Sequence, residues 1–198
     1  MGRTATVARE TTETKITLAV DIDGTGQATI HTGIGFFDHM LTLLAGHSLF
    51  DLSIQCEGDV HVDGHHTVED VGRALGVAVK DCLGDRRGIC RYGHSILPMD
   101  ESLVTAAVDL GGRAATVLAV EYPVPAIGAF DVQLVEVFWE SFAATAGANV
   151  HAMLHHGSNA HHIAEAVFKA TARSLRMAVE RDSRQPGVPS TKGILTDA

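Results

Sequence analysis

Ile16, Leu18, Val20 and Ile22 alternate with polar residues through Thr14–Asp23. A period of two predicts a half-buried strand, and Asp-Gly-Thr-Gly at 23–26 predicts a turn that brings GQATIHT back beside it. The period then changes. Phe37, Met40, Leu41 and Leu44 fall three and four apart within Gly33–Ser48 and predict the apolar face of a helix. DLSIQCEG (51–58) and DVHVDG (59–64) predict a second strand pair. From His65 to Leu83, Val68, Val71, Leu75, Ala78, Val79 and Cys82 mark the buried side of a long helix, which Gly84 and the Asp-Arg-Arg-Gly after it end.

The same order recurs. SLVTAAVDL (102–110) alternates as a strand, Gly111-Gly112 makes a turn, and RAATVLAVEY returns. A helix is predicted in the later part of DVQLVEVFWESFAATA, a strand in ANVHAML, and a long helix over His161–Glu180. The letters repeat too: AVDIDGTGQATI (19–30) matches AVDLGGRAATV (107–117), and HHTVEDVGRALG (65–76) matches HHIAEAVFKATA (161–172). An internal duplication of about 95 residues follows. The expected fold is α/β (α+β), one domain over 1–198 built of repeats at about 10–90 and 98–182. Each repeat is expected to be an antiparallel sheet with two helices on one face. The tail 185–198 has Pro and Gly breakers and no periodicity.

Composition changes this picture in three places. A formal charge of −9 excludes non-specific nucleic-acid binding and binding to an acidic membrane surface, both of which need basic patches. Cys56, Cys82 and Cys90 are an odd count without a CxxC, which suits the reducing cytoplasm, and no apolar run reaches the ~18 residues of a membrane span. Histidine stands out, with twelve in the chain and adjacent pairs at 65/66, 155/156 and 161/162.

Two of those pairs open the long helices as His-His-x-x-Glu: His65, His66, Glu69 and His161, His162, Glu165. Residues three or four apart share a helix face, so His66 with Glu69 and His162 with Glu165 are spaced to chelate one metal each. The other histidine of each pair points about 100° away, toward a second metal or another subunit. A single such motif reads as solvated polar residues at a helix start; its repetition at matching places points to metal. Imidazole and carboxylate without thiolate suit Mn, Fe, Co or Ni with open positions. His39 lies in GFFDHML with Asp38 and Thr42, and aligning the halves sets Asp38-His39 opposite Glu136-Val137.

GIGFFDHML, HVDGHHTVEDVGRALG, RYGHSILPMDESL, AVDLGGR, NAHHIAEAVFKATARSLR and VPSTKG resemble, in this order, the imidazoleglycerol-phosphate dehydratases of histidine biosynthesis, from about Arg9 to Leu195. The resemblance implies a homo-oligomer of twenty-four subunits with active sites at subunit interfaces, each holding two Mn²⁺ ions. It assigns His39, His66, Glu69 and His161 to one metal, and His65, His162 and Glu165 to the other. The family adds a histidine to the second set in a stretch reading like VEHFF; this chain has Val135-Glu136-Val137-Phe138-Trp139. Glu136, His155, or the loop with His151 and His156 are the neighbours that could make up the loss.

The implied reaction removes water from imidazoleglycerol phosphate to give imidazoleacetol phosphate, with two metals gripping the ring nitrogens. The resemblance puts Glu13 first for proton movement, with His47, Glu165 and Lys169 beside it. The phosphate falls to Arg91, Arg113, Ser190, Thr191 and Lys192, and substrate also meets His39, His65, Glu69 and His161. The alternative is a metal-binding homologue with weak or no dehydratase activity because of Val137. A metallohydrolase is disfavoured, since HHxxE lacks the HExxH spacing.

Overall fold

The computed structural model describes residues 2–195, so the last three positions of the tail lie outside the described residues. The first half runs β1 (Thr4–Glu10), β2 (Thr14–Asp21), β3 (Ala28–His31), α1 (Gly35–Ser48), β4 (Asp51–Gly58), α2 (His65–Leu83). The second runs β5 (Tyr92–Met99), β6 (Ser102–Asp109), β7 (Ala115–Ala119), a small pair β8 (Ala126–Ile127) and β9 (Phe130–Asp131), α3 (Leu134–Ala146), β10 (Asn149–His156), α4 (Ala160–Val179). Apart from the β8–β9 pair, the order β-β-β-α-β-α occurs twice.

The sheets are ordered β1-β2-β4-β3 and β5-β6-β10-β7. Three sequence expectations are corrected here. The strand after the Asp-Gly-Thr-Gly turn does not fold back on β2; β3 crosses to the far side of β4 and pairs with it in parallel, as β7 does with β10. Both sheets are therefore mixed, not antiparallel. The cause lies in Asp51, whose Oδ1 accepts the backbone N–H groups of Thr25 and Gln27, both at 2.8 Å, and steers the chain across. DVHVDG is not a strand: Val62 N–H closes a turn onto the Asp59 carbonyl at 2.8 Å, and Val62 stays 63% exposed with no sheet to cover it. The strands β1 and β5, which the hydrophobic pattern did not predict, are sheet edges with weak alternation.

Each sheet buries one face under its own helices, and the helices of one half meet those of the other. α1 packs on α4 and α2 on α3, giving one continuous core between two outer sheets. At its centre Phe138 stacks on Phe168 and meets Phe37 and Trp139 edge-on. The α2–α3 contact is close because α2 carries Gly72 and Gly76. A Cβ on Gly72 would lie 2.7 Å from the Phe138 carbonyl oxygen, and one on Gly76 2.5 Å from that of Phe142. Just beyond α2, fully buried Arg86 donates to the carbonyls of Leu110 (2.6 Å), Ala146 (2.6 Å) and Gly147 (3.0 Å). That places its charge at the C-terminus of α3, where the helix dipole favours a cation.

The halves can be registered residue by residue. α1 ends at Leu49 and α3 at Gly147, both caps with φ 61°. Ten residues before the cap stands His39 in α1 and Val137 in α3. The structure thus gives the same equivalence as the letters of the repeat.

Candidate metal centre and phosphate cleft

Side chains on a helix lean toward its N-terminus, so a carboxylate reaches back to the residue four before it. Glu165 does this with His161, whose Nε2 donates to Oε1 at 3.1 Å. His39, delivered by the packing of α1 on α4, donates from Nε2 to the same oxygen at 2.7 Å. Lys169, one turn further on, donates to Oε2 at 2.5 Å. Among the described residues these three ligand atoms, from His39, His161 and Glu165, form the one group close enough for a metal, all within 4.8 Å. Burial alone would raise the Glu165 pKa; the hydrogen bonds from Lys169, His39 and His161 outweigh it and bring it to about 2. A carboxylate ionised at neutral pH between two imidazoles is a donor set that fits a borderline-to-hard divalent ion.

The second histidine of each pair does not meet the glutamate within the chain. In α2 as in α4 it is the first that meets it: His65 Nε2 lies 3.9 Å from Glu69 Oε2. The second histidines turn outward to other carboxylates. His66 Nδ1 donates to Asp59 at 2.9 Å, with Glu13 3.7 Å from its Nε2. His162 Nδ1 donates to Glu101 at 2.7 Å, with Asp100 3.7 Å from its Nε2. These bonds raise the pKa of both rings, and Glu101 is held well below the usual carboxylate range by His162 and by the backbone N–H groups of Asn159 and Ser158. Neither expected ligand set is gathered whole within one chain. His39 and His161 meet Glu165, whereas His65, His66 and Glu69 sit at the start of α2 with Glu13.

The neighbours suggested for Val137 do not join that centre. Val137 packs half-buried against the core and Glu136 is exposed. His155 bonds Thr105 at 2.7 Å and His156 donates to the Glu101 carbonyl at 2.8 Å. His151 points outward from β10.

The phosphate candidates do come together. Arg91, Arg113, Ser190, Thr191 and Lys192 line one cleft of about 670 Å³. They divide the work. Arg91 is engaged in a bidentate pair with Asp109 (2.7 and 3.0 Å) and donates to the Pro189 carbonyl at 2.8 Å, which seats the C-terminal segment. Among the described residues the guanidinium of Arg113 has no hydrogen-bond partner, and Lys192 is exposed beside it. His47 faces a separate cleft with His94 and Arg173; burial, then Lys169 and Arg173, lower its pKa.

Asp59, Glu101 and Asp109 were missed by sequence reasoning. Glu101 carried a usable signal: it precedes β6 as Glu13 precedes β2.

The sequence model of the imidazoleglycerol-phosphate dehydratase family matches residues 32–175. A relative of that name from Rhodopirellula baltica is 58% identical over 98% of this chain and 96% of its own. One from Acidiphilium cryptum is 54% identical over 98% and 100%. The chain belongs to the imidazoleglycerol-phosphate dehydratase family. It is a hydro-lyase of histidine biosynthesis. Solved dehydratases share the fold: the Pyrococcus furiosus structure gives a TM-score of 0.83 at 33% identity, covering 96% of this chain and 100% of that one. The Staphylococcus aureus structure gives 0.82 at 33%, covering 90% and 99%. No helix of the described residues is long and apolar enough to cross a membrane.

Proposed function

We propose that the chain dehydrates imidazoleglycerol phosphate with two Mn²⁺ ions held unequally at the joints of a homo-oligomer in the cytoplasm. The observation that carries this reading is the half-built centre. One chain brings together His39, His161 and Glu165, two donors for one ion and one for its neighbour, too few for ions that take about six ligands each. The outward-facing His65, His66 and Glu69 are then supplied by a second copy, which accounts for their distance from that group within one chain. The twenty-four-subunit assembly is the family form this fits. His39, His66, Glu69 and His161 would hold one ion; His65, His162 and Glu165 would hold the other with three ligands, Val137 contributing none.

Bound there, Mn²⁺ supplies Lewis acidity toward the nitrogens of an imidazole ring. The chain's own residues do the rest. Arg113, Lys192, Ser190 and Thr191 grip the phosphate, with Arg91 holding their segment in place. Lys169 adds charge on the substrate side, and His47, its pKa lowered by burial, adds a neutral imidazole. The reaction breaks a C–H bond and the neighbouring C–OH bond with no carbonyl to receive charge, so proton carriers must be close. Glu13, half-exposed and beside His66, would take up a proton.

Val137 favours one other reading, a metal-binding homologue with little turnover. Manganese stoichiometry measured with and without substrate, together with turnover, separates the two. Two ions per chain with substrate and steady dehydration support the working enzyme, whereas one ion and no turnover support the homologue. Deleting residues 189–198 should raise KM strongly; an unchanged KM would overturn the phosphate role of that segment.

A further inference from the structure

We propose that Glu101 and Asp59 are positioning residues that fix the tautomers of His162 and His66, each holding the ring's Nδ1–H and leaving Nε2 bare. An ionised carboxylate can only accept, so the ring nitrogen against it must carry the hydrogen; a neutral imidazole has one such hydrogen, and its other nitrogen keeps the lone pair. His162 Nδ1 lies 2.7 Å from Glu101 Oε2, and His66 Nδ1 lies 2.9 Å from Asp59 Oδ2. The consequence for metal binding rests on the proposed function, in which both rings are ligands.

The duplication shows how the task is shared. Glu13 and Glu101 each stand one residue before the second strand of their sheet, β2 and β6. Asp59 and Gly157 each stand one residue after the equivalent strands β4 and β10. In the first half Asp59 takes Nδ1, and Glu13 is left facing Nε2 at 3.7 Å. In the second half the Asp59 position is Gly157, where a Cβ would come 2.6 Å from Ser102 Oγ and 2.8 Å from Ile163 Cγ1. No side chain fits there, so Glu101 takes Nδ1 instead. Its Oε1 is fixed by the N–H groups of Asn159 (2.8 Å) and Ser158 (3.1 Å) and by Ser102 Oγ (3.1 Å). Glu101 is committed to orientation, and its equivalent Glu13 is free for substrate.

Glu101→Gln tests this with a near-isosteric change. Its amide oxygen stays with the Ser158 and Asn159 N–H groups, so its NH₂ faces Nδ1, which must then accept. The hydrogen moves to Nε2. Solid-state NMR of protein labelled with ¹⁵N-histidine, at a pH where both rings are neutral, reads the tautomer; His162 is assigned by difference from His162→Gln. We expect Nδ1–H at His162 and His66 in the wild type, and Nε2–H at His162 in E101Q. A Mn²⁺ titration followed by EPR should show the affinity of one ion fall ~10–100-fold in E101Q, the usual cost of losing such a partner. Nε2–H in the wild type, or an E101Q protein with unchanged tautomer and Mn²⁺ affinity, would overturn the proposal. If E101Q does not fold, the wild-type spectrum still decides it. If the wild type binds no Mn²⁺, the proposed function fails while the spectrum still judges the tautomers.

Discussion

The α1–α4 corner and the α3–α2 corner are one piece of structure used twice, and their polar clusters have ended up in different states. At the first, His39 and His161 share Glu165, which is 7% exposed and clasped by Lys169 at 2.5 Å. At the second, Val137 stands where His39 would be. There Glu69 is 39% exposed, 3.9 Å from His65 and 3.7 Å from Arg73. Equivalent helices, same spacing, same first histidine: what differs is the cation one turn on, Lys169 against Arg73, and an imidazole arriving from the partner helix. With it, the carboxylate is drawn inward into a buried three-way contact; without it, the carboxylate stays in water with loose partners. Two imidazoles and an ammonium offset the desolvation of one carboxylate, whereas a single imidazole and a solvated guanidinium do not.

Exchanging the decisive residue is the strongest way to break the comparison. His39→Ala should weaken the tighter Mn²⁺ by more than the ~10–100-fold that loss of an orienting partner costs, since a ligand itself is removed. Val137→His should act in the opposite sense, adding a second tightly bound equivalent to an EPR or calorimetric titration. If V137H leaves the stoichiometry unchanged, the inequality of the two sites does not arise from Val137.

Lysine and arginine at equivalent places supply the next contrast. Lys169→Met leaves Glu165 buried without its strongest partner and should destabilise the chain by about 3 kcal/mol. Arg73→Met breaks an exposed pair and should change stability by about 0.5 kcal/mol or less. Denaturant midpoints of the two variants measure the difference. Equal losses would mean the two corners are energetically alike despite their geometry.

The helices of both corners were open to sequence reading because their signals are local. α2 begins at His65 and ends at Leu83 as its apolar stripe predicts, and the paired histidines name themselves. What stayed hidden was decided by distant side chains. Nothing in GQATIHT tells that Asp51, some two dozen residues on, will capture Thr25 and Gln27 and carry β3 past β4. Alternation in DVHVDG signals a strand only if a neighbour exists, and none does among the described residues. The choice of His161 over His162 as the partner of Glu165 depends on Asn159, whose side chain caps α4 through the N–H groups of both histidines, and on Glu101, which claims the second ring. Val137 was legible because the duplication supplies its own comparison.

The smallest contrast concerns the helix contacts beneath the two clusters. Gly76 lets α2 lie on α3 almost backbone to backbone, and its equivalent in α4 is fully buried Ala172, as the aligned motifs show. Gly76→Ala should therefore destabilise, against the usual gain of alanine in a helix, by about 2 kcal/mol, because its methyl meets the Phe142 carbonyl and the Ala146 backbone nitrogen. Ala172→Gly should cost about 1 kcal/mol through helix propensity, with no clash to relieve. The sign of G76A is the sharper test. A stabilised G76A would mean that α2 can move away from α3 without loss, and that the two corners differ in their side chains but not in how rigidly they are built.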